Sequence, residues 1–166
     1  MNTISIITGN VCSLLAMVTD SVSSTRKTAR GVLLVQSLSQ LIYCIGAVIL
    51  KGYSAAVQNV ISIIRNFVAI KNINSKFLEW TLAALGVVLG ICFNNLGLMG
   101  YLPIIANFQY TLAIFKFKDN ERALKISFAI SVGLFGIFNL TILNFVGAFT
   151  NLFVTATTLL VLVKKK

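Results

Sequence analysis

The feature that most constrains this chain is where its charges are absent. Of its fourteen Lys and Arg residues, all but Lys51 and Arg65 fall in four short polar breaks: Arg26, Lys27 and Arg30; Lys71 and Lys76; Lys116, Lys118, Arg122 and Lys125; and Lys164 to Lys166. Between the breaks run long apolar stretches with almost no charge. A charged side chain at the centre of a bilayer costs roughly 2.5–3.5 kcal/mol on insertion scales, so stretches of this kind belong in lipid. Cationic breaks alternate with nearly uncharged ones, and the alternation predicts both topology and orientation.

Seven apolar segments are predicted, near Thr3–Thr19, Val32–Leu50, Ala55–Ile70, Phe77–Phe93, Met99–Phe115, Ile126–Leu140 and Phe145–Val163. In lipid only helices and closed barrels satisfy every backbone group, and runs this long are helices. At about 1.5 Å per residue the longer segments reach roughly 28 Å, close to a hydrocarbon core. The loops after segments one, three, five and seven hold the cations, whereas those after two, four and six hold Lys51 alone. The positive-inside rule then puts the N terminus outside and the C terminus in the cytoplasm.

Composition points the same way. The chain is 57% hydrophobic and 11% charged, whereas soluble domains carry about 25% charged residues. A net charge of +10 would suggest nucleic acid in a soluble protein. Here it is explained by positive-inside loops and anionic headgroups, and no basic patch with interleaved aromatics exists outside the loops. Segment one lacks a basic flank at Met1-Asn2-Thr3 and is followed by Arg26, Lys27 and Arg30, the reverse of a signal peptide. It is read as a retained helix. Cys12, Cys44 and Cys92 lie in three different segments without a C-x-x-C or any histidine, so neither a disulfide framework nor a zinc site is expected.

The chain shows signs of an internal repeat. Asn10-Val-Cys-Ser-Leu-Leu15-Ala16-Met17 resembles Asn107-Phe-Gln-Tyr-Thr-Leu112-Ala113-Ile114, and Arg65-Asn66 parallels Thr150-Asn151. Both similarities align segments one to three with five to seven. One odd helix between the units makes the repeat parallel, with segment four as linker.

Polar side chains form helical stripes in five segments. They are Asn10, Ser13 and Asp20; Gln36, Gln40 and Tyr43; Asn59, Ser62 and Asn66; Asn107 and Tyr110; and Asn144, Asn151, Thr155 and Thr158. Segment four has none and carries Gly86-Val-Val-Leu-Gly90 instead, the spacing that lets helix backbones approach. The amides either glue helices together, at about 0.6 kcal/mol each, or line a cavity for a small solute. The candidate solute-binding residues are Asn10, Gln40, Asn59, Arg65, Asn66, Asn107 and Asn151. Arg65, the ionisable residue inside a segment, either snorkels to the cytoplasmic interface or faces the cavity, where it would pair with Asp20 or bind an anion.

The acids Asp20, Glu79, Asp119 and Glu121 lie at segment ends or in loops, and there is no histidine. Proton-driven carriers keep such groups within the membrane as relays, and catalysis needs an acid/base pair, an activated nucleophile or a metal. The expectation is a non-enzyme, without cofactor or metal, that passes a solute without proton coupling.

Gly52-Tyr-Ser-Ala-Ala-Val-Gln-Asn-Val-Ile-Ser-Ile-Ile-Arg65-Asn66-Phe-Val-Ala-Ile-Lys71 resembles the third helix of the bacterial inner-membrane YgjV family. Leu102-Pro103-Ile-Ile followed by Thr111-Leu-Ala-Ile-Phe115 resembles its later L-P-V-I and A-L-F stretch. That resemblance implies seven helices and an inner-membrane address, with no reaction or substrate. The three-one-three layout is also similar to SWEET, PnuC and PQ-loop transporters. Through the repeat, Asn66 and Asn151 match the SWEET asparagines that face the solute. The chain departs from those families in having Pro103 as its one proline and Trp80, at the start of segment four, as its one tryptophan. Both departures speak against a sugar or nicotinamide riboside.

The expected protein is therefore an all-α membrane protein of seven transmembrane helices. Residues 1–76 and 98–166 form two parallel triple-helix bundles, joined by a linker helix over 77–97. Its expected role is facilitated passage of a small polar or anionic solute, with solute reception or partner assembly as the alternative. Expected partners are the lipid bilayer, a small-molecule solute and, as an open option, a second copy of the chain.

Overall fold

The computed structural model describes residues 2–23, 26, 28–71, 73, 75–117 and 120–164. Lys27, Lys118, Lys165 and Lys166 of the cationic breaks, with Asp119, lie outside the described residues. Among the described residues seven α-helices follow one another: α1 Thr3–Ser23, α2 Ala29–Ile49, α3 Tyr53–Ile70, α4 Lys76–Cys92, α5 Tyr101–Lys116, α6 Glu121–Thr141 and α7 Phe145–Lys164. A 3-10 turn at Gly97–Gly100 leads into α5, and no strand occurs among the described residues.

Each predicted segment is one helix, but α2 and α6 begin earlier than their apolar content suggests. Polar residues cap them. Thr28 Oγ1 accepts from Gly31 N at 3.1 Å and Asn120 Oδ1 from Ala123 N at 3.0 Å; Ser75 Oγ does the same for α4 with Leu78 N at 3.4 Å. A side-chain acceptor for an otherwise orphaned amide lets a helix start among polar residues. All three caps lie at the cationic end of the bundle.

The turns at the other end are built differently. Lys51 and Leu143 both take left-handed backbone conformations, with φ of 58° and 59°. After α2, Lys51 N donates to Val48 O and Gly52 N to Ala47 O; after α6, Leu143 N donates to Leu140 O and Asn144 N to Asn139 O. Both are Schellman closures, which satisfy the last carbonyls of a helix and send the chain back.

Neighbour packing runs α1–α2–α3–α5–α6–α7 and back to α1, a closed ring of six, while α4 packs outside against α3 and α5. A Cβ on Gly90 would lie 2.6 Å from Gln58 Nε2 of α3 and 2.7 Å from Ile104 Cγ1 of α5. The Gly86–Gly90 face is therefore filled within the chain.

The distribution of polarity is inverted relative to a water-soluble bundle. Ile4, Ile7, Leu14, Leu15, Trp80 and Phe149 are exposed on the outside, whereas Gln58, Asn59, Ser62, Asn66, Asn107 and Thr111 are buried. Contiguous apolar surface on this scale has a lipid contact as its natural partner. By length and hydropathy alone, two helical stretches among the described residues qualify as spans, Thr3–Val22 and Arg122–Thr141; Leu33–Ile49 and Phe145–Leu160 are shorter apolar runs. Helix α3, at 18 residues, falls below that measure because its inner face carries buried polar groups, and α5, at 16 residues, falls below it by length.

Candidate binding cavity

A cavity of about 1200 Å³ occupies the centre of the ring, with walls from all seven helices. At the cationic end its lining residues Ser21, Ala69, Ile73 and Lys76 are exposed. At the opposite end Ala47, Ala55 and Asn139 are buried. The mouth therefore opens at the cationic end. The far end is closed by an apolar plug in which Ala47, Leu50, Ala55 and Ala56 of the α2–α3 corner pack on Phe138 and Ile142 of α6 and its turn. Gly52 allows this approach: a Cβ there would meet Ile142 Cδ1 at 3.1 Å and Phe138 Cζ at 3.2 Å. Phe138 is completely buried.

Six of the seven candidate residues line this space: Gln40, Asn59, Arg65, Asn66, Asn107 and Asn151. Asn10 is placed elsewhere. Its Nδ2 donates to Ile6 O and Leu143 O, both at 2.9 Å, and its Oδ1 accepts from Val146 N at 2.9 Å. It fastens α1 to the α6–α7 turn. The sequence match with Asn107 misled here because Asn10 sits near the plugged end, beside a turn whose backbone groups need partners.

The cavity amides divide by their partners. Asn66 Nδ2 donates weakly to Ser37 Oγ at 3.4 Å, and Asn107 Nδ2 donates to Gln58 Oε1 at 2.8 Å. Gln40, Asn59 and Asn151 make no side-chain hydrogen bond with the protein among the described residues. Ser54 Oγ is the one sealed side-chain polar atom without a partner in that set, so these three amides are open to the cavity. Glue alone would have consumed them, because an unpaired buried amide costs about 1–3 kcal/mol.

Arg65 reaches sideways to α5 instead of along α3 toward the rim. Its Nη1 donates to Asn107 Oδ1 at 3.3 Å and to Thr111 Oγ1 at 3.2 Å, and its guanidinium carbon stands 5.6 Å from the centroid of the Tyr110 ring. Ser62 Oγ also donates to Asn107 Oδ1, at 3.4 Å, and Gln58 Nε2 donates to Gly86 O at 2.8 Å. A polar chain thus runs from the guanidinium through α5 and α3 to α4. The anticipated pairing of Arg65 with Asp20 is not made; Asp20 accepts from Ser39 Oγ on α2. No carboxylate pairs with Arg65 among the described residues.

Gln58 and Thr111, each about 1% exposed, went unrecognised in the sequence. Gln58, Ser62 and Arg65 follow a 4, 3 spacing, a second stripe beside the one through Asn59 and Asn66. Asn144 is a cap as well as a lining residue: its Oδ1 accepts from Gly147 N at 3.1 Å at the start of α7. Thr155 and Thr158 are absorbed by backbone carbonyls. The separation that carries Lys51 onto Leu143 also carries Ala29 onto Glu121, Tyr53 onto Phe145 and Asn59 onto Asn151.

An all-helical bundle with an apolar exterior, a polar interior and a central cavity is an integral membrane protein. The family model Imp-YgjV, described as bacterial inner membrane protein, matches residues 7–166. The chain belongs to that family. No curated protein and no solved structure matches it.

Proposed function

We propose that this protein is a multi-pass facilitator of the bacterial inner membrane, carrying a small polar or anionic solute by alternating access. The observation that carries the reading is the set of open amides, Gln40, Asn59 and Asn151, in a cavity that opens at one end and is plugged at the other. A pore would be open at both ends, and a merely glued bundle would have paired its amides.

The architecture we propose has two parallel triple-helix units, α1–α3 within 1–76 and α5–α7 within 98–166, with α4 as the linker over 77–97. Three features support it: the ring order, the like turns at Lys51 and Leu143, and the position of α4 outside the ring. An odd linker keeps the two units in the same orientation. With the cationic end in the cytoplasm, the N terminus is outside and the cavity is captured facing inward. Rocking of one unit on the other would part the plug between the α2–α3 corner and α6 while closing the mouth. So arranged, the protein would resemble SWEET, PnuC and PQ-loop transporters in layout.

The proposed passage involves no chemistry on the solute. Asp20 and Glu79 are the acids among the lining residues, and both belong to helix turns beside the mouth. The test is a thermal-shift screen of purified protein against metabolite pools, followed by uptake of each stabilising compound into proteoliposomes. A solute that binds the folded state raises its stability by RT ln(1 + [L]/Kd). The expected result is uptake that runs down the solute gradient and saturates. Binding without any flux would replace this reading with a solute receptor.

A further inference from the structure

We infer that Arg65 is the anchor of an oxyanion subsite in the cavity, which selects organic solutes bearing a carboxylate or phosphate next to an apolar body. The assignment rests on the facilitator reading only for its transport consequence; the binding site stands on the geometry of Arg65 itself.

A guanidinium offers five N–H donors in a planar fork. Both hydrogen bonds made by Arg65 among the described residues leave from Nη1, at 3.2 and 3.3 Å, at and just past the long end of the normal range. Nε and Nη2 have no protein acceptor among the described residues. Neither is sealed, since Ser54 Oγ is the one closed-off, unpartnered side-chain polar atom in that set. Arg65 lines the cavity, so the Nε–Nη2 edge opens onto it. That edge is the face of arginine that takes a carboxylate or phosphate in two parallel hydrogen bonds.

The surroundings hold the fork in place and shape what lies beside it. Tyr110 stands 5.6 Å from the guanidinium carbon, and its ring packs on Phe128 at 5.7 Å between centroids. Both rings line the cavity, with Phe135 further along the wall. They supply an apolar surface beside the charge, a match for a solute with a flat or aliphatic body. The other charged groups of the lining are Lys76, Glu79 and Asp20, all within the helix turns at the mouth. Asp20 is engaged by Ser39. An isolated cation inside an apolar bundle is costly without a counter-charge. Among the described residues Arg65 has neutral acceptors alone, which leaves the anion to be supplied by the solute.

The test uses the whole chain in lipid nanodiscs and four probes of similar size: benzoate, phenyl phosphate, benzamide and benzyl alcohol. Ligand-detected NMR titration should give dissociation constants at least about 10-fold lower for the two oxyanions than for the neutral pair. Arg65→Gln should abolish that preference and Arg65→Lys should keep only part of it, because an ammonium lacks the fork. The wild-type chain gives a second reading that does not depend on a variant folding. Phenylglyoxal should modify Arg65, as located by peptide mass mapping, and benzoate should suppress the adduct where benzamide does not. Equal binding of benzoate and benzamide, no binding of any probe, or an Arg65→Gln protein with its benzoate preference intact overturns the assignment. Benzoate binding that protects Arg65 without benzoate flux supports the subsite and removes the facilitator reading. Flux of a neutral solute with no preference for oxyanions does the reverse.

Discussion

Lys51 and Leu143 close the same turn in the two halves of the chain, and each offers its carbonyl to an asparagine from a distant segment. Asn95 Nδ2 donates to Lys51 O at 2.8 Å, and Asn10 Nδ2 donates to Leu143 O at 2.9 Å. A left-handed residue at a helix end turns its carbonyl away from the helix, so the group must find a partner outside it. In one case the partner comes from the segment that leads into α5, in the other from α1.

This gives Asn10 a structural role that can be separated from binding. Asn10→Ala removes bonds to two backbone groups of the α6–α7 turn and should lower unfolding stability by about 1–3 kcal/mol, read as a drop in detergent melting temperature. Solute binding by the protein that remains folded should be unchanged. Asn151→Ala should do the opposite. Its amide has no protein partner among the described residues to lose, so the melting temperature should stay within the equivalent of about 0.6 kcal/mol while binding and flux are lost.

Orientation is tested by reporter fusions. A reporter active only in the cytoplasm should work after Lys125 and fail after Gly97. Activity at Gly97 would remove the arrangement with an outward N terminus and seven crossings.

The seat of α4 predicts a contrast between two glycines. Gly90→Ala places a methyl group 2.6 Å from Gln58 Nε2 and 2.7 Å from Ile104 Cγ1. It should cost about 1–3 kcal/mol by overpacking. Gly133→Ala meets Thr155 at an ordinary 3.5 Å and should be neutral or stabilising by up to about 1 kcal/mol, as alanine favours the helix. Melting temperatures of the two variants in one detergent decide the point.

Transport should not depend on a proton gradient. The charged lining residue beyond the helix turns at the mouth is Arg65, and arginine does not release its proton in proteins. Flux into proteoliposomes should ignore an imposed pH step. Collapse of flux on adding a protonophore would overturn the uncoupled mechanism and point to Asp20 or Glu79 as a relay.

The helix count and the alternation of charged ends were legible in the sequence because both follow from what lipid excludes. Helix starts were less so, since Thr28 and Asn120 extend α2 and α6 into polar sequence through a hydrogen bond that hydropathy does not register. Stripes on α2, α3 and α5 located much of the cavity wall, because a polar residue at helical spacing in lipid must face inward. Short aliphatic matches did not tell the roles of two asparagines apart: Asn10 and Asn107 look alike in sequence, yet one serves a turn and the other the polar chain from Arg65. Gln58 was hidden by its neighbour Asn59, whose stripe is more conspicuous. The plug of Leu50, Phe138 and Ile142 was not legible at all, since apolar residues that close a cavity and apolar residues that face lipid read alike.

Under the proposed mechanism one cavity is reached alternately from the two sides of the membrane, and cysteine accessibility tests this without knowledge of the solute. In a background with Cys12, Cys44 and Cys92 replaced by alanine, Ser62→Cys puts a thiol in the cavity wall. A membrane-impermeant sulfonated thiol reagent is then applied separately to each face. Under the proposed orientation and mechanism, labelling should occur readily through the mouth from the cytoplasmic face, and more slowly but measurably from the outer face if the plug at Phe138 parts. Labelling from the cytoplasmic face alone, with no modification from outside on any timescale, would contradict alternating access and leave a closed-ended receptor.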